Sequence, residues 1–375
     1  MEKLNVLSLV SYNILPAKMG GQKGIALFNE YLSKKVNLIC ITTKNNDSSL
    51  AKHYKMLNVL SNSPLRYINL FYFFILKQVI KSRKISHLII EHPYYGWLGV
   101  LLNVFCKVKL IVHSHNIEAL RFKSTGKWWW KILWHYEKWT YTKANSVFFI
   151  TAEDLNYAVE NFNLPISKCI VVTYGTEIDE IPTSIEKENA KNEICKTHKI
   201  SAKEKILFFN GTLDYGPNLD AANIILEKIN PLLLSAKDFK YKIIICGKGL
   251  PNSYNELIDF KDKNIIYAGF VNDIKQYFLA ADIFINPVID GGGIKTKLVE
   301  ALGYNISVVS TVSGAIGMPH AITKDKMEVV NDNDWEMFTK KILSINTNST
   351  TPNDFFEHFY WGDIIKKVEN KIASL

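Results

Sequence analysis

Short apolar runs alternate with longer amphipathic stretches through the first half of the chain. Residues 4–11, 37–42, 87–90, 110–112 and 146–150 have the length and apolar content of strands. Residues 26–35, 67–83, 128–143 and 153–161 have the spacing of helices, and Gly20-Gly21 punctuate a loop before the first of them. The strand segments are continuously apolar instead of alternating, which is the pattern of a parallel sheet covered on both faces. Residues 173–205 are polar and 185–205 are dense in charge, so this stretch reads as the end of one domain and a linker. The pattern then restarts, with strands at 206–209, 242–246, 264–267, 283–286 and 307–310 and helices at 218–229, 273–280 and 294–302. The expected class is α/β, with two Rossmann-like doubly wound domains at 1–180 and 181–354 and an amphipathic end helix in 355–375. Ligands of such sheets bind at the carboxyl ends of the strands. Two units facing each other across a cleft are a favoured place for substrates.

Length and composition agree with two packed domains. The chain has 375 residues, 47% hydrophobic and 22% charged, at roughly 150 residues per domain. That excludes a disordered chain, a collagen-like repeat and a small disulfide scaffold. Five cysteines (Cys40, Cys106, Cys169, Cys195, Cys246) stand far apart without a CxxC or Cys/His cluster, so free thiols and no metal site are expected. The apolar stretches at 67–76 and 96–106 fall short of the roughly 20 residues a spanning helix needs. The N-terminus lacks the pattern of a signal peptide. The expectation is a cytoplasmic protein.

Charge adds a partner. The formal net charge is +9, and residues 1–180 hold 22 basic and 12 acidic side chains, leaving the remainder near neutral. A basic half calls for an anionic partner. Nearly all of its cations are lysine and no Arg-rich or RNA-recognition motif occurs, which disfavours nucleic acid. The segment KWWWKILWHYEKW (127–139) and the aromatic run in 67–83 are rich in Trp, Phe and Lys. Such segments suit an anionic membrane surface, here the inner face of the plasma membrane, while part of each stripe belongs to the core.

The chemistry concentrates in residues 286–317. Gly291, Gly292 and Gly293 precede a helix, followed by Ile294, Lys295, Lys297 and Glu300. Glycines let backbone N–H groups approach a ligand, and a helix start carries partial positive charge. With the two lysines this makes a diphosphate cradle, and Glu300 falls within reach of a sugar hydroxyl. An ordinary glycine-rich turn with surface lysines fits the spacing equally well. His92, His113 and His115 stand at expected strand ends, as does Glu91; Asn116 and Glu118 are capping or hydrogen-bonding partners.

Several stretches together resemble the GT-B-fold glycosyltransferases of family 4, also called group 1, in the subset that builds polysaccharide or lipid-linked glycans. They are Gly20-Gly21, HSHNIE (113–118), TAEDL (151–155), TYGTEID (173–179), FFNGTLDYGPNLDA (208–221), IICGKG (244–249), YAGFVNDI (267–274) and GGGIKTKLVEALGYNISVVST from Gly291. The resemblance implies retaining, metal-independent transfer of a hexose from a UDP- or GDP-linked donor, a co-substrate and not a cofactor, to a glycan or lipid-linked acceptor. It implies that Glu300 binds ribose and that Gly291–Lys297 hold the diphosphate, with Gly20 and Gly21 approaching it. Gly211, Gly247 and Gly249 then line the nucleotide loops, Phe270 and Val271 touch the base, and His115 lies near the transferred sugar. His115, Lys295 and Lys297 are the implied catalytic residues. The end helix is expected to pack back on the N-terminal domain. Two departures stand out. Gly292 replaces the first of two family glutamates. The family's Arg and Lys after the first strand of the second domain are missing, leaving Lys295 and Lys297 to replace them, with Asn218 as a helix cap. A sugar epimerase of the same fold, or a relative that binds nucleotide sugar without catalysis, remains an alternative. A dehydrogenase is disfavoured, because no GxGxxG follows the first strand.

Overall fold

The computed structural model describes residues 3–291 and 293–375. Contacts divide the chain into two compact units, Thr176–Tyr360 forming one, and Met1–Gly175 with Trp361–Leu375 the other. Each is a purely parallel sheet. The first has seven strands: β1 (Asn5–Leu9), β2 (Asn37–Thr43), β3 (Lys55–Leu60), β4 (His87–Glu91), β5 (Lys109–Ser114), β6 (Ser146–Phe149) and β7 (Cys169–Val171). They lie in the order β3-β2-β1-β4-β5-β6-β7. The second has six: β8 (Lys205–Asn210), β9 (Tyr241–Cys246), β10 (Ile265–Gly269), β11 (Ile283–Asn286), β12 (Ser307–Thr311) and β13 (Met327–Val330), in the order β10-β9-β8-β11-β12-β13. Both orders reverse direction once, between β1 and β4 and between β8 and β11, the hallmark of a doubly wound sheet.

The continuously apolar strands are buried throughout. β4, β6, β11 and β12 have no exposed position, as expected of strands covered on both faces. In the first unit Leu7, Leu9, Ile90, Val112 and Val147 pack against Leu76, Ile80, Leu98, Leu102 and Tyr141 of the covering helices. In the second, Leu207, Phe209, Ile243 and Ile285 pack against Ile225, Ile229, Phe338 and Ile342.

Several expectations are corrected. Gly20 and Gly21 are not a loop but the first residues of the helix Gly20–Ser33, whose start is closed by the Gln22 side chain accepting from the N–H groups of Lys18 and Met19. Residues 185–205 are not a linker. Ser184–His198 is a helix opened by a capping box, in which Thr183 and Glu186 satisfy each other's backbone N–H. Only Ala190 and Ile194 of it are buried. The end segment is split at Tyr360: helix Asn353–Phe359 belongs to the second unit, whereas Trp361–Ala373 belongs to the first. The division therefore falls after Gly175 and Tyr360, not after residues 180 and 354.

The helix Trp361–Ala373 completes the first unit. Trp361 is 1% exposed, with its ring 5.9 Å from that of Tyr174 and 6.4 Å from that of Tyr31. A Cβ on Gly175 would come within 2.6 Å of the indole, so only glycine fits there. Lys371 donates to the Ser167 carbonyl, and Lys35 pairs with Glu369. Thr176 pairs with Tyr360, so the chain enters and leaves the second unit side by side.

Trp361→Ala should cost about 3–5 kcal/mol, the usual range for emptying a large aromatic site. Hydrogen exchange should quicken in β1–β7 and stay unchanged in β8–β13. Uniform quickening in both units would contradict this assignment of the helix.

Candidate functional site

In the first unit the polar cluster forms at the carboxyl ends of β1, β4 and β5. Register sets Glu91, the last residue of β4, opposite His113 of β5. Glu91 is 1% exposed. Its Oε2 lies 3.0 Å from His113 Nδ1 and 2.6 Å from His115 Nε2. Next to this pair stands a second one: His92 Nδ1 is 3.0 Å from Glu118 Oε1, and Tyr12 OH, in the loop after β1, is 3.1 Å from His92 Nε2. Glu118 also accepts from Tyr94 and Arg121. The His92 and His115 rings stack with centroids 4.4 Å apart.

Electrostatics follow from these contacts. Burial alone would raise the Glu91 carboxyl, but His113 and His115 outweigh it and hold it well below the carboxylate range. Burial works against Glu118 in the same way, and His92, Arg121 and Tyr94 bring it down to about 2. His115 is pushed down to about 4 by burial and by the neighbouring His92 and His113. At neutral pH the cluster therefore holds two carboxylates and a neutral His115. Glu91, His113 and His115 also offer three ligand atoms within 4.8 Å of one another, the one such group among the described residues. Since both rings already bond Glu91, an ion there would have to take the place of ring hydrogens.

In the second unit the crossing between β8 and β11 carries the cations. Lys295 caps the helix Thr296–Gly303 and donates to the carbonyls of Gly291 and Gly293. Lys297 reaches back to β8, donating to Asn210 O at 3.2 Å and Asn218 Oδ1 at 3.0 Å, with the Phe209 ring 4.6 Å away. Asn218 is thus not a cap. Its Nδ2 donates to Thr212 O, which holds its oxygen toward the lysine. Gly291 has φ +91° and lies against Tyr215 and Pro217. Burial lowers Lys295 to about 8, partly offset by Asp290; burial and Lys295 lower Lys297 to about 7. Both lysines are half-buried and their bonds go to neutral oxygens.

The other expected residues of this unit lie just past β8, β9 and β10 and in or just before the helix Thr296–Gly303. Gly247 touches Gly211 so closely that a Cβ on it would meet the Gly211 carbonyl oxygen, and Gly249 lies against Asp214. The Gly247 N–H donates to Gly269 O, linking the ends of β9 and β10. Phe270 follows at 72% exposure, and Val271 and Ile294 are half-buried. Glu300 lies three residues beyond Lys297 in the helix, one turn along the same face. Gly292 lies outside the described residues. Gly20, Gly21 and His115 belong to the first unit. A Cβ on Gly21 would meet no protein atom within 4 Å, so packing does not demand glycine there.

Residues 20–180 match the family model described as Glycosyltransferase Family 4, and residues 204–348 match that described as Glycosyl transferases group 1. The chain belongs to these GT-B-fold glycosyltransferases. The fold is also that of a glycosyltransferase from Rickettsia africae ESF-5 (17% identity, 100% of this chain and 99% of that one, TM-score 0.74). Anabaena HepE, solved in complex with UDP, is similar over 99% of this chain and 100% of its own (13% identity, TM-score 0.73). A curated relative, an uncharacterized 44.6 kDa protein in the cps region of Klebsiella pneumoniae, is 27% identical over 148 residues. That match spans 38% of this chain and 37% of the relative.

Inorganic pyrophosphate should bind at Lys295 and Lys297. Because binding needs Lys297 charged and its pKa is about 7, affinity should fall as pH rises from 6 to 9, by up to about tenfold per unit above that value. Lys297→Met should weaken binding about 10- to 100-fold and flatten this dependence. Calorimetry in buffers of different ionisation heat should detect proton uptake near pH 8. Binding that is indifferent to pH and to the substitution would exclude the lysine site.

Proposed function

We propose that the protein transfers a hexose from a UDP- or GDP-linked donor to a glycan or lipid-linked acceptor in cell-surface polysaccharide synthesis, with retention at the anomeric carbon and without a metal ion. The observation that carries this reading is the pair of half-buried lysines at the glycine loop, bonded to neutral oxygens at the β8–β11 crossing. As the bond from the sugar to the diphosphate breaks, negative charge grows on the leaving oxygen. Lys295, Lys297 and the N–H groups at the start of Thr296–Gly303 are placed to stabilise it. Glu300 takes the ribose hydroxyls. Gly211, Gly247, Gly249, Phe270 and Val271 receive the nucleoside, together with Ile294 beside the loop. Within the first unit, Gly20, Gly21 and His115 are the residues assigned to donor and sugar. HepE has also been solved with UDP-glucose, and a further structure of this fold is the lipopolysaccharide outer core galactosyltransferase WaaB. The first supports a sugar-nucleotide donor and the second a surface-glycan product.

A panel of UDP- and GDP-sugars with release of nucleoside diphosphate as readout tests the reading, and NMR of the product gives its anomeric configuration. Glu300→Gln should raise the donor KM about 10- to 100-fold through the lost charge-assisted bonds. EDTA should leave the rate unchanged. Loss of activity with EDTA, restored by a divalent ion, would replace the metal-free mechanism with one using Glu91, His113 and His115.

The acceptor side of the proposal includes an anionic membrane surface, at the cytoplasmic face. No helix among the described residues is long and apolar enough to cross a membrane. The helices Phe71–Ser82 and Gly96–Cys106 pack side by side through Phe73 and Phe105. Phe71, Phe74, Val104 and Phe105 are each more than 60% exposed. Lys77 and Lys81 stand beside Cys106 at the same end. Apolar side chains rimmed by lysines suit the interface of an anionic bilayer. The protein should co-sediment with vesicles rich in anionic lipid at low salt, and Phe71→Ser with Phe74→Ser should abolish this. Equal binding to neutral vesicles would remove the electrostatic part.

A further inference from the structure

We propose that Glu91 is a positioning residue: by accepting the Nε2 hydrogen of His115, it leaves Nδ1 of that ring as a hydrogen-bond acceptor for a hydroxyl of the sugar. The sugar's presence at His115 rests on the function proposed above; the state of the ring does not.

An ionised carboxylate can only accept. The contacts of 2.6 Å to His115 Nε2 and 3.0 Å to His113 Nδ1 therefore both carry the hydrogen on the imidazole side. This fixes the two rings as opposite tautomers, Nε2–H in His115 and Nδ1–H in His113. The surroundings of His113 agree. Its Nε2 is buried without a partner, and its ring lies 4.6 Å from Phe28 and 6.3 Å from Phe148. A bare lone pair among aromatic rings leaves no N–H stranded. His115 packs closely against two rings, with His92 stacked at 4.4 Å and His113 at 4.5 Å. His92 is itself held at both nitrogens, by Glu118 and Tyr12. Among the described residues no protein group bonds His115 Nδ1, and the side chain is 11% exposed. The one nitrogen open to a ligand is therefore the acceptor, which selects a hydroxyl over a phosphate oxygen.

The test is nitrogen-15 NMR of the histidine rings in the full chain, with His115 assigned by loss of its signals in His115→Asn. The wild type should show hydrogen on Nε2 alone, slowly exchanging and shifted downfield by the carboxylate. Glu91→Gln, nearly the same size, should lose that shift and slow exchange. It should also lower kcat/KM about 10- to 100-fold, the effect of one mispaired hydrogen bond. Its affinity for pyrophosphate should stay as in the wild type, marking an intact second unit. Hydrogen on Nδ1 in the wild type overturns the proposal without any variant, and so do identical His115 signals in wild type and Glu91→Gln. A changed ring with unchanged transfer overturns the acceptor role. If the wild type transfers no sugar while its ring is as described, the proposed function fails and the assignment of Glu91 stands.

Discussion

Both units are governed by one topological constraint: a parallel sheet that winds outward in two directions must reverse once. Where it reverses, the loops leaving two adjacent strands turn to opposite faces and a crevice opens between them. In the first unit the reversal lies between β1 and β4, and the contact of Tyr12 with His92 spans it. In the second it lies between β8 and β11, and Lys297 spans it by bonding Asn210 and Asn218. The chemistry-bearing side chains of each unit gather at the point where the winding leaves space for them.

The two crevices solve opposite electrostatic problems. In the first, buried carboxylates are held by hydrogen bonds from imidazole rings and, at Glu118, by the Arg121 guanidinium. What the rings add is direction: which nitrogen donates and which accepts. In the second, cations are surrounded by carbonyl and amide oxygens, which solvate a lysine without cancelling its charge. One crevice presents imidazole nitrogens, the other lysine ammonium groups.

The interior of the fold was legible because buried parallel strands are unbroken apolar runs, and NLICIT, HLII, KIIIC and SVVS each became one. Three strands, KMLNVL at β3, CIV at β7 and MEVV at β13, gave no such run. They are sheet edges covered on fewer sides, so their burial pattern is mixed. The helix Ser184–His198 buries only two apolar side chains, too few for periodicity to register; its capping box was the readable signal. The glycine loop and its lysines could be read locally, since they are neighbours in sequence. The Glu91–His115 pair could not be, because 24 positions separate its members and only the register of β4 on β5 joins them. Asn218 has the local pattern of a cap because its partner, Lys297, lies 79 positions away.

The return of the last helix to the first unit has a consequence for biosynthesis. The stretch from Thr176 to Tyr360 is an uninterrupted insertion within a unit whose two pieces flank it. During translation the inserted unit has its whole sequence available first, although it is encoded second. The flanking unit emerges earlier, and the surface covered by Trp361 stays bare until the helix Trp361–Ala373 has been made. Domains ordinarily complete in the order in which they begin; here the unit begun first is completed second, and its uncovered seam lies in the half with the greater positive charge.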